Sequence, residues 1–363
     1  MNNIWLLFSL IFIASAFQSR NQRPTVSIKG DQFYVNGKPT YEGRTWNGHK
    51  IEGLLINSRM VQGIFDDLNP ETRELFVYPD TKKWDPDRNT REFVEAMDGW
   101  HSYGLNSFTI NLQGGSPVGY GNQKNWINSA FKEDGKLRAE FMGRLEKILS
   151  KAEELNMVVM LGLFYFGQDQ NVRDEQAVKN GVKNAIDWLF NKRYRNVLIE
   201  VNNECNIKQY DHEILKPERV HELINMVKGM KKNGYRYLVG TSYGGNTVPK
   251  PNVVKSSDFI LIHGNGVKDY QTMQLLIDNT RKVEGYRTMP VVVNEDDHFD
   301  FEQDKNNFVA AIEKYVSWGY FDYRKDGEDF SVGYQTVPVD WGINSERKKG
   351  FFNKVKEITG GNP

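Results

Sequence analysis

The feature that most constrains the fold of this chain is a repeated alternation of apolar and amphipathic segments between residues 89 and 358. In 137–155 the apolar residues recur at helical spacing, and they form one stripe on a helix. The run MVVMLGLFYFG follows directly, and such near-continuous apolar runs are typical of strands buried on both faces of a parallel sheet. The pattern therefore predicts β-strands that alternate with α-helices.

Eight segments have the composition of strands, and most of them are separated by helical patterns. We expect these strands at 41–46, 105–112, 157–166, 196–203, 237–243, 258–263, 289–295 and 318–324. Eight alternating units predict an α/β fold, a (β/α)8 or TIM barrel. The weakest connection is PKPNVVKSS, between the fifth and sixth strands, because it is poor helix material. An open doubly wound sheet is the alternative, but no G-x-G-x-x-G motif follows the early strands.

The N-terminal part of the chain carries two further expectations. TVSIKGDQFYVNGKPTY (25–41) alternates apolar and polar residues around turn signals, which predicts a short β-hairpin. Residues 47–88 have no periodicity, so we expect a long loop there. Such a loop would wall off one end of a groove.

The first residues of the chain predict export. MNNIWLLFSLIFIASA has a short apolar run that ends in a small-x-small site, so residues 1–16 are expected to be a signal peptide. An uncleaved anchor is the alternative. Residues 17–363 contain no repeat and no linker composition, which predicts one catalytic domain in the periplasm or outside the cell. No later segment is apolar enough to span a bilayer.

The composition excludes some partners and leaves others open. The 47 Lys and Arg residues balance 47 Asp and Glu residues, so the charge gives no indication of binding to nucleic acid or an anionic membrane. Aromatic residues make up 13% of the chain, which fits sugar-stacking surfaces and a large core equally well. The single cysteine, Cys205, cannot form an internal disulfide and is expected to be a small buried residue.

The ends of the predicted strands carry the candidate chemistry, because the active site of such a barrel lies at the C-terminal ends of its strands. NVLIEVNNE (196–204) ends strand 4 on Glu204, and MPVVVNE (289–295) ends strand 7 on Glu295. Two carboxyl groups facing each other across the barrel mouth are what glycoside hydrolysis requires, one as a proton donor and one as a nucleophile or base. A spacing of ~5–5.5 Å would imply a retaining route.

These residues also carry a resemblance to a known family. With Asn203-Glu204 ending strand 4, Glu295 ending strand 7 and the opening FYVNGKPTYEG, the chain resembles the clan of retaining (β/α)8-barrel glycosidases that includes the cellulase-like family 5 enzymes. The resemblance implies that Glu204 is the general acid/base and Glu295 the nucleophile, and that Asn203 binds the sugar 2-hydroxyl.

The resemblance extends to the surroundings of the two carboxylates. It implies that His263 or Tyr243 hydrogen-bonds Glu295 and keeps it ionised. The clan's usual strand-8 tryptophan is not obvious here, since Trp318 begins that strand and Trp341 would have to fold back over the site.

Polar and aromatic residues near the predicted strand ends are the candidates for binding a carbohydrate substrate, and no cofactor is expected. These candidates are Arg44, Trp46, Asn111, Gln113, Tyr165, Gln168, Asn203, Tyr243, His263 and Trp341.

Two other functions are compatible with the same residues. NEDDHFD (294–300) offers oxygen ligands and one imidazole suited to Mg²⁺ or Ca²⁺, which would give a metal-dependent barrel enzyme. A non-catalytic sugar-binding barrel is the other alternative. Sensitivity to a chelator would separate the first from a glycosidase.

Overall fold

The computed structural model describes residues 23–119 and 125–362. The chain begins with an antiparallel sheet of β1 (Val26–Lys29), β2 (Gln32–Val35) and β3 (Lys38–Pro39), in that order. This confirms the predicted hairpin. A second antiparallel pair follows, β4 (Thr45–Trp46) with β5 (His49–Lys50).

Eight parallel strands form the centre of the molecule. They are β6 (Ile56–Ser58), β7 (Ser107–Asn111), β8 (Val158–Phe164), β9 (Val197–Asn202), β10 (Leu238–Gly240), β11 (Ile260–His263), β12 (Val291–Asp296) and β13 (Ser317–Tyr320). They pair in two runs, β7-β8-β9-β10 and β11-β12-β13-β6.

The two runs close on each other at both seams. A parallel bridge between Arg59 and Thr109 joins the end of β6 to β7. At the other seam, the N–H of Asp258 donates to the carbonyl of Val239 at 2.9 Å. The arrangement is the predicted (β/α)8 barrel.

Helices surround the barrel. They are α1 (Pro86–Ser102), α2 (Ala139–Glu154), α3 (Glu175–Lys192), α4 (Val220–Gly229), α5 (Pro251–Ser256), α6 (Tyr270–Arg281), α7 (Asn307–Glu313) and α8 (Glu346–Thr359). Several start at an Asp, Asn or Ser whose side chain accepts from an N–H of the first turn, as Asp174 does for α3. The doubtful connection PKPNVVKSS forms only the short helix α5, which has proline at its start.

Strand residues alternate between two cores. Val197, Ile199 and Val201 of β9 face the helices, while Leu198 joins an inner cluster with Val158, Met160 and Val292. The inner cluster fills the barrel below the ends of the strands, so the polar groups at those ends rest on a packed apolar floor.

One predicted strand is wrong. The first barrel strand is β6 at residues 56–58 and not 41–46, so the expected loop 47–88 contains a strand. Residues 41–46 end instead in β4, whose partner β5 packs near α7. The signal for β6 was only Leu54-Leu55-Ile56, too short a run to show periodicity.

The expected signal peptide at 1–16 lies outside the described residues. Among the residues that the structure describes, no helix has both the length and the apolar character needed to cross a membrane.

Candidate active site

Glu204 and Glu295 meet at the C-terminal end of the barrel, as the sequence predicts for the ends of strands 4 and 7. Glu204 lies two residues after the end of β9, and Glu295 is the penultimate residue of β12. One oxygen of each carboxylate and one ring nitrogen of His263 all lie within 4.8 Å of one another. The side chain of Glu204 is 13% exposed and that of Glu295 is 5% exposed. The pair is therefore largely shielded from solvent, while Glu204 remains accessible to a ligand.

Arg59 is a functional residue that the sequence analysis missed. It directly follows β6, and its Nε lies 2.7 Å from Oε2 of Glu295. Its side chain is 2% exposed. The signal that could locate it is Ile-Asn-Ser-Arg, read as the end of a short strand. This segment lies within residues 47–88, for which the sequence predicts a loop.

His263, the last residue of β11, and Asn265, two residues further along the chain, complete the contacts of the pair. Nδ1 of His263 lies 3.0 Å from Oε1 of Glu204 and 3.6 Å from Oε2 of Glu295. Asn265 donates from Nδ2 to Oε1 of Glu295 at 2.6 Å. The resemblance implies a hydrogen bond from His263 or Tyr243 to Glu295, whereas in the structure His263 hydrogen-bonds Glu204 and it is Asn265 that donates to Glu295.

The charges of this cluster act on one another. Burial alone would lower the pKa of His263, but the carboxylates of Glu295 and Glu204 outweigh burial and raise it. Burial would raise the pKa of Glu204, but the hydrogen bond and charge of His263 lower it. Burial raises the pKa of Glu295 although Arg59 and His263 oppose this effect. The two carboxylates therefore favour the charged form of His263, which lies one hydrogen bond away from Glu204.

The backbone at Glu204 adopts an unusual conformation. Its φ of 50° lies in the left-handed region, which is unfavourable for residues other than glycine. Two hydrogen bonds to Ser242 hold it there, from the N–H of Glu204 to Oγ at 2.9 Å and from the N–H of Cys205 to the carbonyl at 2.9 Å. Such strain is typical of functional positions and aims the carboxylate away from the strand direction.

Two buried amides near the strand ends have unused hydrogen-bonding capacity. Within the described chain, Oδ1 of Asn203 and both amide atoms of Asn111 have no hydrogen-bond partner. Buried polar groups usually bind protein, water or ligand. These two predicted binding residues are therefore available to a substrate or to bound water.

Tyr165 also lies close to the two carboxylates. Burial, followed by the charges of Glu295 and Glu204, raises the pKa of its hydroxyl. The hydroxyl is 3.2 Å from Oγ of Ser116, and the ring stacks on Phe166 with centroids 4.2 Å apart.

Three other predicted residues are occupied with neighbouring protein groups. Gln113 donates to Oγ of Ser129 and to the carbonyl of Gln168, each at 3.0 Å. Gln168 itself accepts from the N–H of Asn128 at 2.8 Å. The Tyr243 hydroxyl lies beside the thiol of Cys205, which is buried as expected. These side chains order the loops around the site.

Arg44 and Trp46 do not reach the site. They belong to the segment 41–46 that was expected to be the first barrel strand, and that strand is β6 instead. Arg44 donates to the carbonyls of Glu357 and Ile358 at 2.8 Å, at the end of α8. Trp46 donates to the carboxylate of Glu357 at 3.1 Å. Both side chains hold the β4–β5 pair against α8.

Trp341 is also in a different place from the one expected. It is 1% exposed, and its Nε1 donates to Oδ1 of Asn89 at 3.0 Å. Its ring packs against Phe93 and Tyr334, with centroids 4.7 and 5.9 Å apart. The ring belongs to the core between α1 and the loop before α8, so it offers no surface to a sugar.

The acidic cluster after β12 is a poor metal site. Ligand atoms of Asp296, Asp297 and His298 do lie within 4.8 Å of one another. However, the Asp296 carboxylate already accepts from Nε1 of Trp318 at 3.0 Å and from Nδ1 of His298 at 2.5 Å. The hydrogen bond that His298 donates to Asp296 raises the pKa of His298, so binding of a metal ion through that nitrogen would have to displace its proton.

The structure was also compared with known proteins. No family model matches the sequence, and no curated protein matches it. A glycoside hydrolase family 5 structure from Bacteroides vulgatus ATCC 8482 aligns with a TM-score of 0.57 and 12% identity over 92% of this chain and 70% of that chain. An endo-1,4-β-mannanase from Rhizomucor miehei aligns with a TM-score of 0.56 and 11% identity over 93% of this chain and 99% of that one.

The chain has the barrel fold of these glycoside hydrolases. Another Bacteroides vulgatus structure aligns with a TM-score of 0.52 and 13% identity, and this chain spans 60% of its length. Identities this low establish the fold alone. An activity has to be inferred from the geometry around Glu204 and Glu295.

Proposed function

We propose that this protein is a retaining glycoside hydrolase that cleaves O-glycosidic bonds in an oligo- or polysaccharide. The observation that carries the proposal is the approach of Glu204 and Glu295, whose nearest oxygens lie within 4.8 Å at the C-terminal ends of two barrel strands. Retaining enzymes have carboxyl groups ~5–5.5 Å apart, whereas inverting enzymes leave ~6.5–9.5 Å for a water molecule.

In the first step Glu204 donates a proton to the glycosidic oxygen while Glu295 attacks the anomeric carbon. The bond to the leaving group breaks, the leaving sugar departs with the proton, and a covalent glycosyl ester forms on Glu295. His263 supports this step because its Nδ1 lies 3.0 Å from Oε1 of Glu204, so a proton on the imidazole can reach the acid. Arg59 and Asn265 orient the two oxygens of Glu295.

In the second step Glu204 acts as a base. It removes a proton from a water molecule, the oxygen of that water attacks the anomeric carbon, and Glu295 leaves as a free carboxylate. Glu204 regains its proton, and the product keeps the configuration of the substrate. Asn203 fits the role of binding the 2-hydroxyl, because its buried Oδ1 lacks a partner in the described chain.

The first residues of the chain favour a location outside the cytoplasm, where a polysaccharide would be met. We take residues 1–16 as a signal peptide and 17–363 as one catalytic domain. Determining the N-terminus of the exported protein by mass spectrometry tests this assignment, and an intact Met1 would contradict it.

The experiment that tests the activity combines product analysis with a matched pair of variants. Wild type is incubated with a panel of plant, algal and microbial glycans that includes β-1,4-mannan, and mass spectrometry identifies the products. Glu295→Gln should lose ~10⁴-fold or more in kcat/KM. Asp297→Asn removes a neighbouring carboxylate outside the pair and should retain activity.

Two further results distinguish the mechanism from its alternatives. Proton NMR of the first product formed should show the retained anomer, and an inverted anomer would contradict the covalent route. EDTA should leave the rate unchanged. Loss of activity in EDTA, restored by Mg²⁺ or Ca²⁺, would favour the metal-dependent alternative instead.

A further inference from the structure

Glu200 is a fully buried carboxylate in the centre of β9, inside the barrel and four residues before Glu204. It points into the barrel, on the same side as Leu198. In the register of the sheet, its neighbours are Gly162 on β8 and Gly240 on β10. A Cβ at Gly162 would clash with the side-chain amide of Asn111, and one at Gly240 would clash with the carbonyl of Phe259. Burying a charge this deeply costs folding free energy unless hydrogen bonds or an ion pair compensate for the lost water.

One oxygen of Glu200 connects to the backbone of Glu204. Oε1 accepts a hydrogen bond from Oγ of Ser242 at 2.6 Å. The same Oγ accepts from the N–H of Glu204 at 2.9 Å, at the residue with the left-handed φ. The carboxylate thus fixes the hydroxyl rotor of Ser242 so that a lone pair faces Glu204, which stabilises the strained backbone of the proposed acid.

The other oxygen of Glu200 faces the partner of Glu295. Oε2 lies 3.8 Å from Nη1 of Arg59, and Nε of the same guanidinium contacts Glu295 at 2.7 Å. All three side chains are no more than 5% exposed. Water therefore does little to screen the charges, and Glu200 competes with Glu295 for the positive charge of Arg59.

We propose that Glu200 is a positioning residue that links the two catalytic carboxylates, to the backbone of Glu204 through Ser242 and to the side chain of Glu295 through Arg59. The inference rests on the proposed function, because it assigns Glu200 a task in that reaction. It does not require Glu200 to touch the substrate. The negative charge of Glu200 also tunes the proton affinity of the cluster that Arg59, His263 and Glu295 form.

The test uses variants that separate the two connections. Glu200→Gln keeps an oxygen for Ser242 but removes the charge that faces Arg59. Ser242→Ala keeps that charge but removes the connection to Glu204, and Ser242→Thr restores a hydroxyl. Asp258→Asn is the matched control, because Asp258 is a buried carboxylate that pairs with Arg236 before β11, at the opposite end of the barrel.

The first measurement does not depend on activity. The pKa of His263 is followed by NMR in the full chain, and its signal is assigned by its loss in His263→Asn. In Glu200→Gln the pKa should fall by about one unit, because Arg59 is then less neutralised and its positive charge acts more strongly on the imidazolium. Ser242→Ala and Asp258→Asn should leave it unchanged. An unchanged pKa in Glu200→Gln, or an equal fall in Asp258→Asn, overturns the charge connection.

The second measurement is the pH profile of hydrolysis. For Glu200→Gln we expect kcat/KM to fall ~100-fold and the acidic limb to move to lower pH, because Glu295 ionises more readily. Ser242→Ala should lower kcat without moving the limb, and Ser242→Thr should recover most of kcat. If Ser242→Ala retains full kcat, the connection to Glu204 is wrong.

The two measurements also separate this inference from the proposed function. If wild type hydrolyses nothing while the pKa of His263 responds to Glu200, the glycosidase proposal fails and the charge connection stands. If wild type hydrolyses glycans and neither the pKa nor the profile responds, the inference about Glu200 fails and the activity stands.

Discussion

Arg59 and Glu295 form a buried ion pair across one barrel strand, with Nε and Oε2 separated by 2.7 Å. Arg59 follows β6 and Glu295 lies in β12, and β13 runs between these two strands. Because the guanidinium spans β13, it fixes the proposed nucleophile from outside its own strand. Because both groups are shielded from water, the attraction between their charges is stronger than at the protein surface.

Replacing Arg59 should therefore change the pH dependence as well as the rate. In Arg59→Met the carboxylate of Glu295 loses its cation, so its pKa rises further and the ionised form is reached only at higher pH. We expect the acidic limb of kcat/KM to move to higher pH, opposite to Glu200→Gln, with a loss of about 3–5 kcal/mol in transition-state stabilisation at neutral pH. A pH–rate profile measures both effects, and an unmoved acidic limb would contradict the role of Arg59.

Asn265 should contribute to the chemical step and not to substrate binding. Its amide donates to Oε1 of Glu295 at 2.6 Å and so orients the attacking carboxylate. A hydrogen bond to a charged group contributes about 1.5–3 kcal/mol, so Asn265→Ala should lower kcat by ~10- to 100-fold. Steady-state kinetics on the active glycan would show this with KM nearly constant. A large rise in KM with kcat unchanged would show that Asn265 binds the sugar instead.

The sequence was sufficient for most of the barrel because its strands are long or strongly apolar. β8 and β9 are continuous runs of buried residues, and the helices between them carry clear stripes. β6 escaped detection because only three residues pair there, after a glycine and two leucines that gave no period. Pairing with β13 determines that strand, and no local pattern records a contact so distant in sequence.

The same limit applies to the site. Glu204 and Glu295 could be predicted because each follows an apolar strand, and the C-terminal ends of barrel strands converge. Arg59 could not be placed without β6. No local pattern shows which way the ring of Trp341 points, since its partners Phe93 and Tyr334 come from elements that meet only in the folded chain.

Because Trp341 is buried, we expect its replacement to lower the stability of the fold and to leave sugar binding unchanged. Trp341→Phe would lose the hydrogen bond to Asn89 and leave a gap beside Trp100 and Tyr334. We expect a loss of about 1–3 kcal/mol in the free energy of unfolding, measured by urea denaturation. KM should not change. An unchanged stability with a raised KM would restore the original expectation that Trp341 binds sugar.

Lys348 should give the fold a dependence on pH that is unrelated to catalysis. Its side chain is fully buried, with Nζ 4.2 Å from the centre of the Tyr334 ring and donating to the carbonyl of Asp340. Burial lowers its pKa to about 7, against the opposing charges of Asp340 and Asp322. In the unfolded chain a lysine has a pKa of ~10.4. Between these values the unfolded state binds more protons than the folded state, so Lys348 makes the protein more stable as the pH rises.

Comparison with Lys348→Met isolates this effect, because methionine fills similar space and does not titrate. From pH 7 to pH 9 the free energy of unfolding of wild type should rise relative to the variant, with a slope that increases from about half to nearly the full 1.4 kcal/mol for each pH unit. Below pH 7 the difference should level off, since Lys348 is then charged in both states. Urea denaturation of both proteins at pH 6, 7, 8 and 9 measures the difference directly. Parallel curves would show that Lys348 keeps an ordinary pKa, and that its ammonium is stabilised by Asp340 and the face of Tyr334 more strongly than burial opposes it.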